Sequence, residues 1–273
     1  MPSLRRPDGV ELHYEERGDG PLVMVVPYWN GHRDVWADLQ TELGRDHRVV
    51  TWDARGTGES TRVGPYDIET DRGDLEAVLT EVGGAGSLVT AGNGCNVAVR
   101  VGAARPDLVA AVIAFGAGPF ARADFNGSEG MIASDGVVDA FLEMLHRDYR
   151  GALRTILSAT NSQMSEAELR DRVALQDSYC PSEAATARVH AWAEDDPTSY
   201  AAALGERLWI LSARSAAGPW LPPIEHRRRV IEELTPEAHV KETDDDAGPM
   251  SRPDLVAGYI RGVTATVRAE PGR

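Results

Sequence analysis

Apolar and polar residues alternate over 9–16 (GVELHYEE), the period of a strand with one wet face, and the segment reads as an edge strand. The next apolar segment does not alternate. LVMVV (22–26) is a continuous run stopped by Pro27, as expected of a strand covered on both faces. RVVTWD (48–53), SLVTA (87–91) and LVAAVIAF (108–115) repeat that signature. Between them VWADLQTEL (35–43), IETDRGDLEAVLTEVG (68–83) and CNVAVRVGAA (95–104) carry helical periods. Strands alternating with helices predict an α/β fold with a doubly wound, mostly parallel sheet.

The rhythm stops after residue 118. Residues 119–206 are mostly helical, in three stretches: VVDAFLEMLHRDYRGALRTILSA, SEAELRDRVALQDSYC and SEAATARVHAWAEDD. Ser165 and Glu168 have capping-box spacing, and Ser182 reads as the cap of the next segment. The alternation resumes with LWILSA (208–213), a helix over 225–234, HVKET (239–243) and a last helix near 254–268. The predicted organisation is an α/β core first half (1–118), an inserted helical lid (119–206) and an α/β core second half (207–273). The lid would cover the carboxyl ends of the strands, where such sheets bind ligands.

Composition narrows the partners. A formal net charge of −15 in 273 residues argues against nucleic acid or an anionic membrane surface. The two cysteines, Cys95 and Cys180, fit a reducing compartment, and no Cys/His cluster has metal spacing. No apolar run suits a signal peptide or a membrane span, so a cytoplasmic protein is expected. No cofactor is implied, and a homo-oligomer is left open.

DARGTGES (53–60) resembles the D-x-R-G-x-G-x-S turn after the fourth strand of the α/β-hydrolase superfamily, in its esterase, enol-lactonase and carbon–carbon bond hydrolase branch. GHRDVW (31–36), AARPDLVAAVIAF (103–115) and CPSEAA (180–185) are similar to further segments of that family, so the resemblance covers nearly the whole chain. It implies an elbow serine, a histidine and an orienting acid. Counting back from Pro106 by the family's spacing reaches Gly92, in Thr90-Ala91-Gly92-Asn93-Gly94; a slip brings Asn93 or Gly94 to the tip. Anchoring on Pro253 puts Asp246 in the histidine slot. The acid slot falls on Ser215 or Ala216, and Pro27-Tyr28 replaces the family's His-Gly. The three triad groups are therefore expected to be absent from their matched positions. Cys95 is the nearest nucleophile, and it also reads as a buried small residue.

A cavity remains expected, lined by Tyr28, Trp29, Gly92, Asn93, Phe120, Phe125, Trp192, Trp220 and Asp246. Asp246 reads as a proton-transfer carboxylate with a raised pKa or as part of a solvated acidic loop (DDD, 244–246). Tyr28 reads as an acid or as packing under the lid. The backbone N–H of Asn93, at a helix N-terminus, could hold an oxyanion or enolate. The function expected from this set is a cofactor-free, non-hydrolytic enzyme: a cyclase, lyase or isomerase. Its substrate would be a hydrophobic, polyketide-like small molecule of secondary metabolism. The alternatives are a binding protein without turnover and a hydrolase with relocated catalytic groups.

Overall fold

The computed structural model describes residues 2–31, 33–84, 86–116, 118–120, 135–160, 164–213, 222–243 and 252–269. Its strands are β1 (Ser3–Arg5), β2 (Glu11–Arg17), β3 (Leu22–Val26), β4 (Arg48–Trp52), β5 (Gly86–Ala91), β6 (Val109–Phe115), β7 (Leu208–Ala213) and β8 (His239–Thr243). The core helices are α1 (Ala37–Leu43), α2 (Ile68–Glu81), α3 (Gly94–Ala104), α9 (Ile224–Leu234) and α10 (Pro253–Ala269). Between β6 and β7 run α4 (Asp135–Arg147), α5 (Tyr149–Thr160), α6 (Glu166–Tyr179), α7 (Ser182–Ala193) and α8 (Thr198–Leu204).

The eight strands form one sheet in the order β1-β2-β4-β3-β5-β6-β7-β8. β1 and β2 are antiparallel and the rest are parallel. The continuous apolar runs follow from two separate cores. Along β3, Leu22, Met24 and Val26 join Leu75, Val97 and Ile210 on one face, while Val23 and Val25 join Trp36, Leu39 and Ile260 on the other. A strand covered on both faces has no position for a polar residue, so the period of two vanishes. Among the described residues no helix is long and apolar enough to cross a membrane.

Three local expectations change. Segment 9–16 is not the edge: β1 lies outside β2, with Ser3 opposite His13, and three residues are too few to show an alternation. The helical stretch 137–159 is two helices, α4 and α5, broken at Asp148, whose Oδ1 accepts the Gly151 N–H at 2.9 Å. Ser182 is the first residue of α7, not its cap; extended Pro181 holds that place and makes no side-chain cap bond. The Ser165–Glu168 capping box is present, each side chain meeting the other's backbone N–H.

Candidate active site

β5 runs straight into α3 through a two-residue turn. Gly92 sits at its tip with φ of +56°, in the left-handed region that a side chain with a Cβ enters only at a cost of about 1–2 kcal/mol. Among the described residues, a Cβ built on Gly92 would meet nothing within 4 Å. Gly94 is the reverse. A Cβ there would stand 2.5 Å from Thr90 Oγ1 and 2.7 Å from Pro27 O, so only glycine lets α3 start this close to β3. The first N–H groups of α3 have no partner within the helix and carry its positive dipole end.

Facing the turn is the loop after β3. The backbone N–H of Trp29 donates to Asn93 Oδ1 at 2.7 Å, which ties the loop to the elbow. Gln176 of α6 holds the same loop from the other side. It donates to Tyr28 Oη at 3.2 Å and accepts from Asn30 Nδ2 at 3.1 Å. Burial pushes the Tyr28 phenol up to about 12, so it is a neutral hydroxyl at any physiological pH. The indole of Trp29 meets Phe141 edge to face, with centroids 5.9 Å apart, and packs on three apolar clusters of α4–α7.

The DARGTGES turn builds the floor. Asp53 is fully buried, accepts from Arg33 and from the Glu59 N–H, and burial raises its pKa. Ser60 Oγ donates to Asp53 O at 2.6 Å. Arg55 forks onto Asp74 at 2.6 and 2.9 Å. The motif is thus a structural knot. Its outer surface receives Arg188 of α7, which holds both oxygens of Asp71 of α2 at 2.7 and 2.8 Å and reaches Arg55 O at 2.7 Å. Burial opposes the charge on Arg188, and Asp71 beside it more than offsets this, so the guanidinium stays protonated.

These parts enclose a narrow cleft between β3, α2, α3 and α7, with about 20 Å³ open to the centre of a water, enough for roughly one. Tyr28, Trp29 and Asn93 line it. Asp71, Arg188, Tyr66 and Trp52 line it too, and the sequence reading missed them. Their signal was faint: Arg188 stands alone in an alanine-rich helix, and Asp71 is one of several acids in α2. Trp192 packs instead on the cluster around Phe141. Phe120 lies in the main core, 5% exposed, and is displaced from the expected wall because Gly118 lets its ring fold back toward Ile210. Gly92 is exposed and is not among the residues that line the cleft. Asp246, Trp220, Phe125, Ser215 and Ala216 lie outside the described residues, so the histidine and acid slots do too.

Cys95 does not replace a serine. It points into the core with no exposure, and burial drives its thiol up to about 12, the opposite of an activated nucleophile.

No family model matches the chain. A non-heme chloroperoxidase of Kitasatospora aureofaciens is 36% identical over 84 residues, 30% of each chain, so the likeness spans under a third of that relative's length. Two solved structures superpose over nearly the whole chain. The bromoperoxidase of Bacillus anthracis does so with TM-score 0.77 at 18% identity, covering 95% of this chain and 96% of its own. The enol-lactonase of Burkholderia xenovorans does so with TM-score 0.73 at 19% identity, covering 98% and 100%. These neighbours are named as enzymes. The names point to hydrolase-type activity and overturn the expectation of a non-hydrolytic cyclase, lyase or isomerase, together with that of a binder without turnover. Sheet order, elbow geometry and whole-chain superposition agree: this chain has the α/β-hydrolase fold.

Proposed function

We propose that the chain is an enzyme of hydrolase type that cleaves a small, largely apolar ester or lactone above the β5–α3 turn. The observation carrying this reading is Gly92, whose Cβ position meets none of the described residues at the tip of the elbow beside the N-terminus of α3. The backbone N–H groups there suit an oxyanion. The apolar walls Val26, Trp52, Ile68 and Val97 suit the hydrocarbon part of the substrate.

Position 92 offers no side-chain nucleophile, so water is the attacking group in this reading. Its oxygen bonds to the substrate carbonyl carbon and its proton passes to a carboxylate base. The negative charge on the carbonyl oxygen rests against the Asn93 and Gly94 N–H groups. Collapse breaks the bond to the leaving oxygen, which takes the proton back, giving a carboxylic acid and an alcohol. Asp246, placed by sequence in the histidine slot, is our choice for the base. The helices between β6 and β7 would serve as the lid that keeps bulk water out. Tyr28 is a neutral donor that shapes the wall, not the base.

The test is turnover of p-nitrophenyl acetate, p-nitrophenyl butyrate and γ-butyrolactone by the purified protein. The expected result is hydrolysis without an acyl-enzyme adduct in the mass spectrum. Asp246→Asn should lower kcat by about 10²–10⁴-fold with little change in KM. Absence of turnover on all three compounds would overturn the reading; an acyl adduct on a side chain would overturn the water mechanism.

A further inference from the structure

At the end of the sheet away from the elbow, the starts of β3, β5 and β6 leave a hollow of about 460 Å³ against the last turns of α10. One wall follows from small side chains and a slip in the sheet. Gly86 pairs with Val109 but Ser87 pairs with Ala111, so Ala110 of β6 has no match on β5. Ser87 stands two residues before Val89, which packs in the same core layer as Val263 of α10, so the Ser87 side chain points toward α10 as well. Thr264 and Val267 of that helix form the opposite wall. A hollow of this size suits a small organic molecule.

Two polar side chains of this lining are unspent. Ser87 is 3% exposed, yet its hydroxyl has no hydrogen-bond partner among the described residues and, unlike the indole nitrogen of Trp36, is not sealed from solvent. The surface it keeps belongs to the hollow. Arg268, exposed in the last turn of α10, has no ion pair or hydrogen bond among the described residues. The other polar side chains are committed. Arg48 holds Glu16 through Nε at 2.6 Å and Val82 O through Nη1 at 2.8 Å. Thr264 Oγ1 lies 2.8 Å from His47 Nε2 and 3.1 Å from Arg261 O. Charge then selects the ligand. Among the described residues that line the hollow there is no Asp or Glu, although the chain as a whole carries −15. Glu16 balances Arg48, which leaves the Arg268 charge unbalanced beside apolar Leu22, Ala110 and Val267. An anion with an apolar body matches such a lining, and a cation does not.

We propose that this hollow is a second ligand site, for a small aryl carboxylate. The ring lies against Leu22, Ala110 and Val267, the Ser87 hydroxyl donates to a carboxylate oxygen, and Arg268 supplies the counter-charge. The site is separate from the cleft at the elbow, since the two lie at opposite ends of β3 and β5. It therefore does not depend on the hydrolase reading.

Calorimetric titration of the full chain with 2-naphthoate and with its neutral analogue 2-naphthamide tests this. The naphthoate should bind about 3-fold or more tighter than the amide. Arg268→Gln, a change at an exposed position, should bring the two affinities together. Ser87→Ala, which removes only the hydroxyl, should weaken naphthoate binding by about 3- to 10-fold. No binding of naphthoate by the native chain, equal or tighter binding of the amide, or a preference unchanged in Arg268→Gln would each overturn the proposal. So would an unchanged naphthoate affinity in Ser87→Ala, because the acid would then sit elsewhere. If Ser87→Ala does not fold, the native ratio and its response to Arg268→Gln still decide. Hydrolysis of p-nitrophenyl acetate without naphthoate binding would sink this inference and leave the hydrolase reading standing; naphthoate binding without hydrolysis would do the reverse.

Discussion

Asn93 Oδ1 accepts the backbone N–H of Trp29 at 2.7 Å across the mouth of the cleft. The first residue after the elbow tip thus fixes the loop that follows β3.

Asn93→Ala should free that N–H. Amide exchange in the 27–31 segment should accelerate, and stability should fall by about 1 kcal/mol, the net worth of one such bond. Asn93→Asp keeps the acceptor and should retain slow exchange. Hydrogen-exchange mass spectrometry decides, and equal protection in Asn93→Ala and the native chain would count against the tie.

The two glycines of the turn should respond differently to a methyl group. Gly92→Ala meets none of the described residues and should cost about 1 kcal/mol, from positive φ. Gly94→Ala collides with the backbone of Pro27 and should cost several times more, in the range of overpacked sites at about 1–3 kcal/mol or beyond. Urea denaturation of both variants checks the order; Gly94→Ala at or below the cost of Gly92→Ala would contradict the close approach of α3 to β3.

Cys95 and Cys180 are both buried, with thiols pushed up to about 12 and about 11. Native protein should resist iodoacetamide at pH 8, and both thiols should react once it is unfolded. The linkage has a definite sign. The folded state holds the thiol proton more tightly than the unfolded chain, whose thiols titrate near 8.5. This stabilisation is complete below that pH and is lost as pH rises toward 11. Thermal melts between pH 7 and 10.5 should show the decline. Rapid labelling of native Cys95 would refute its burial.

Removing either partner of the Asp71–Arg188 pair leaves an isolated buried charge. Arg188→Leu or Asp71→Leu alone should cost about 3–5 kcal/mol, while the double variant should recover most of that loss. Additive losses in the double variant would mean that the two charges do not depend on each other.

Much of the fold is legible from local pattern. LVMVV announces a strand with two covered faces because neither face of β3 has room for a polar side chain. The Ser165–Glu168 box is legible because its partners are three residues apart. β1 is not, since three residues hold no period, and its existence depends on the register of β2. The elbow stands between these cases. Its small residues and glycines are visible in the sequence, but which glycine carries the positive φ and which yields to a neighbouring carbonyl depends on where β3 lies.

The candidate site divides in the same way. The sequence by itself determined the strand–helix order, the glycine tip and the place of Tyr28, Trp29 and Asn93 on loops at one end of the sheet, because these follow from contiguous residues. Only the tertiary structure decided that Phe120 turns into the core and that Cys95 is inert. It also decided that Arg188, 117 residues from Asp71 along the chain, becomes a charged wall of the cleft. Burial and pairing across that separation depend on how α7 packs against α2, and no short window of sequence encodes such a distance.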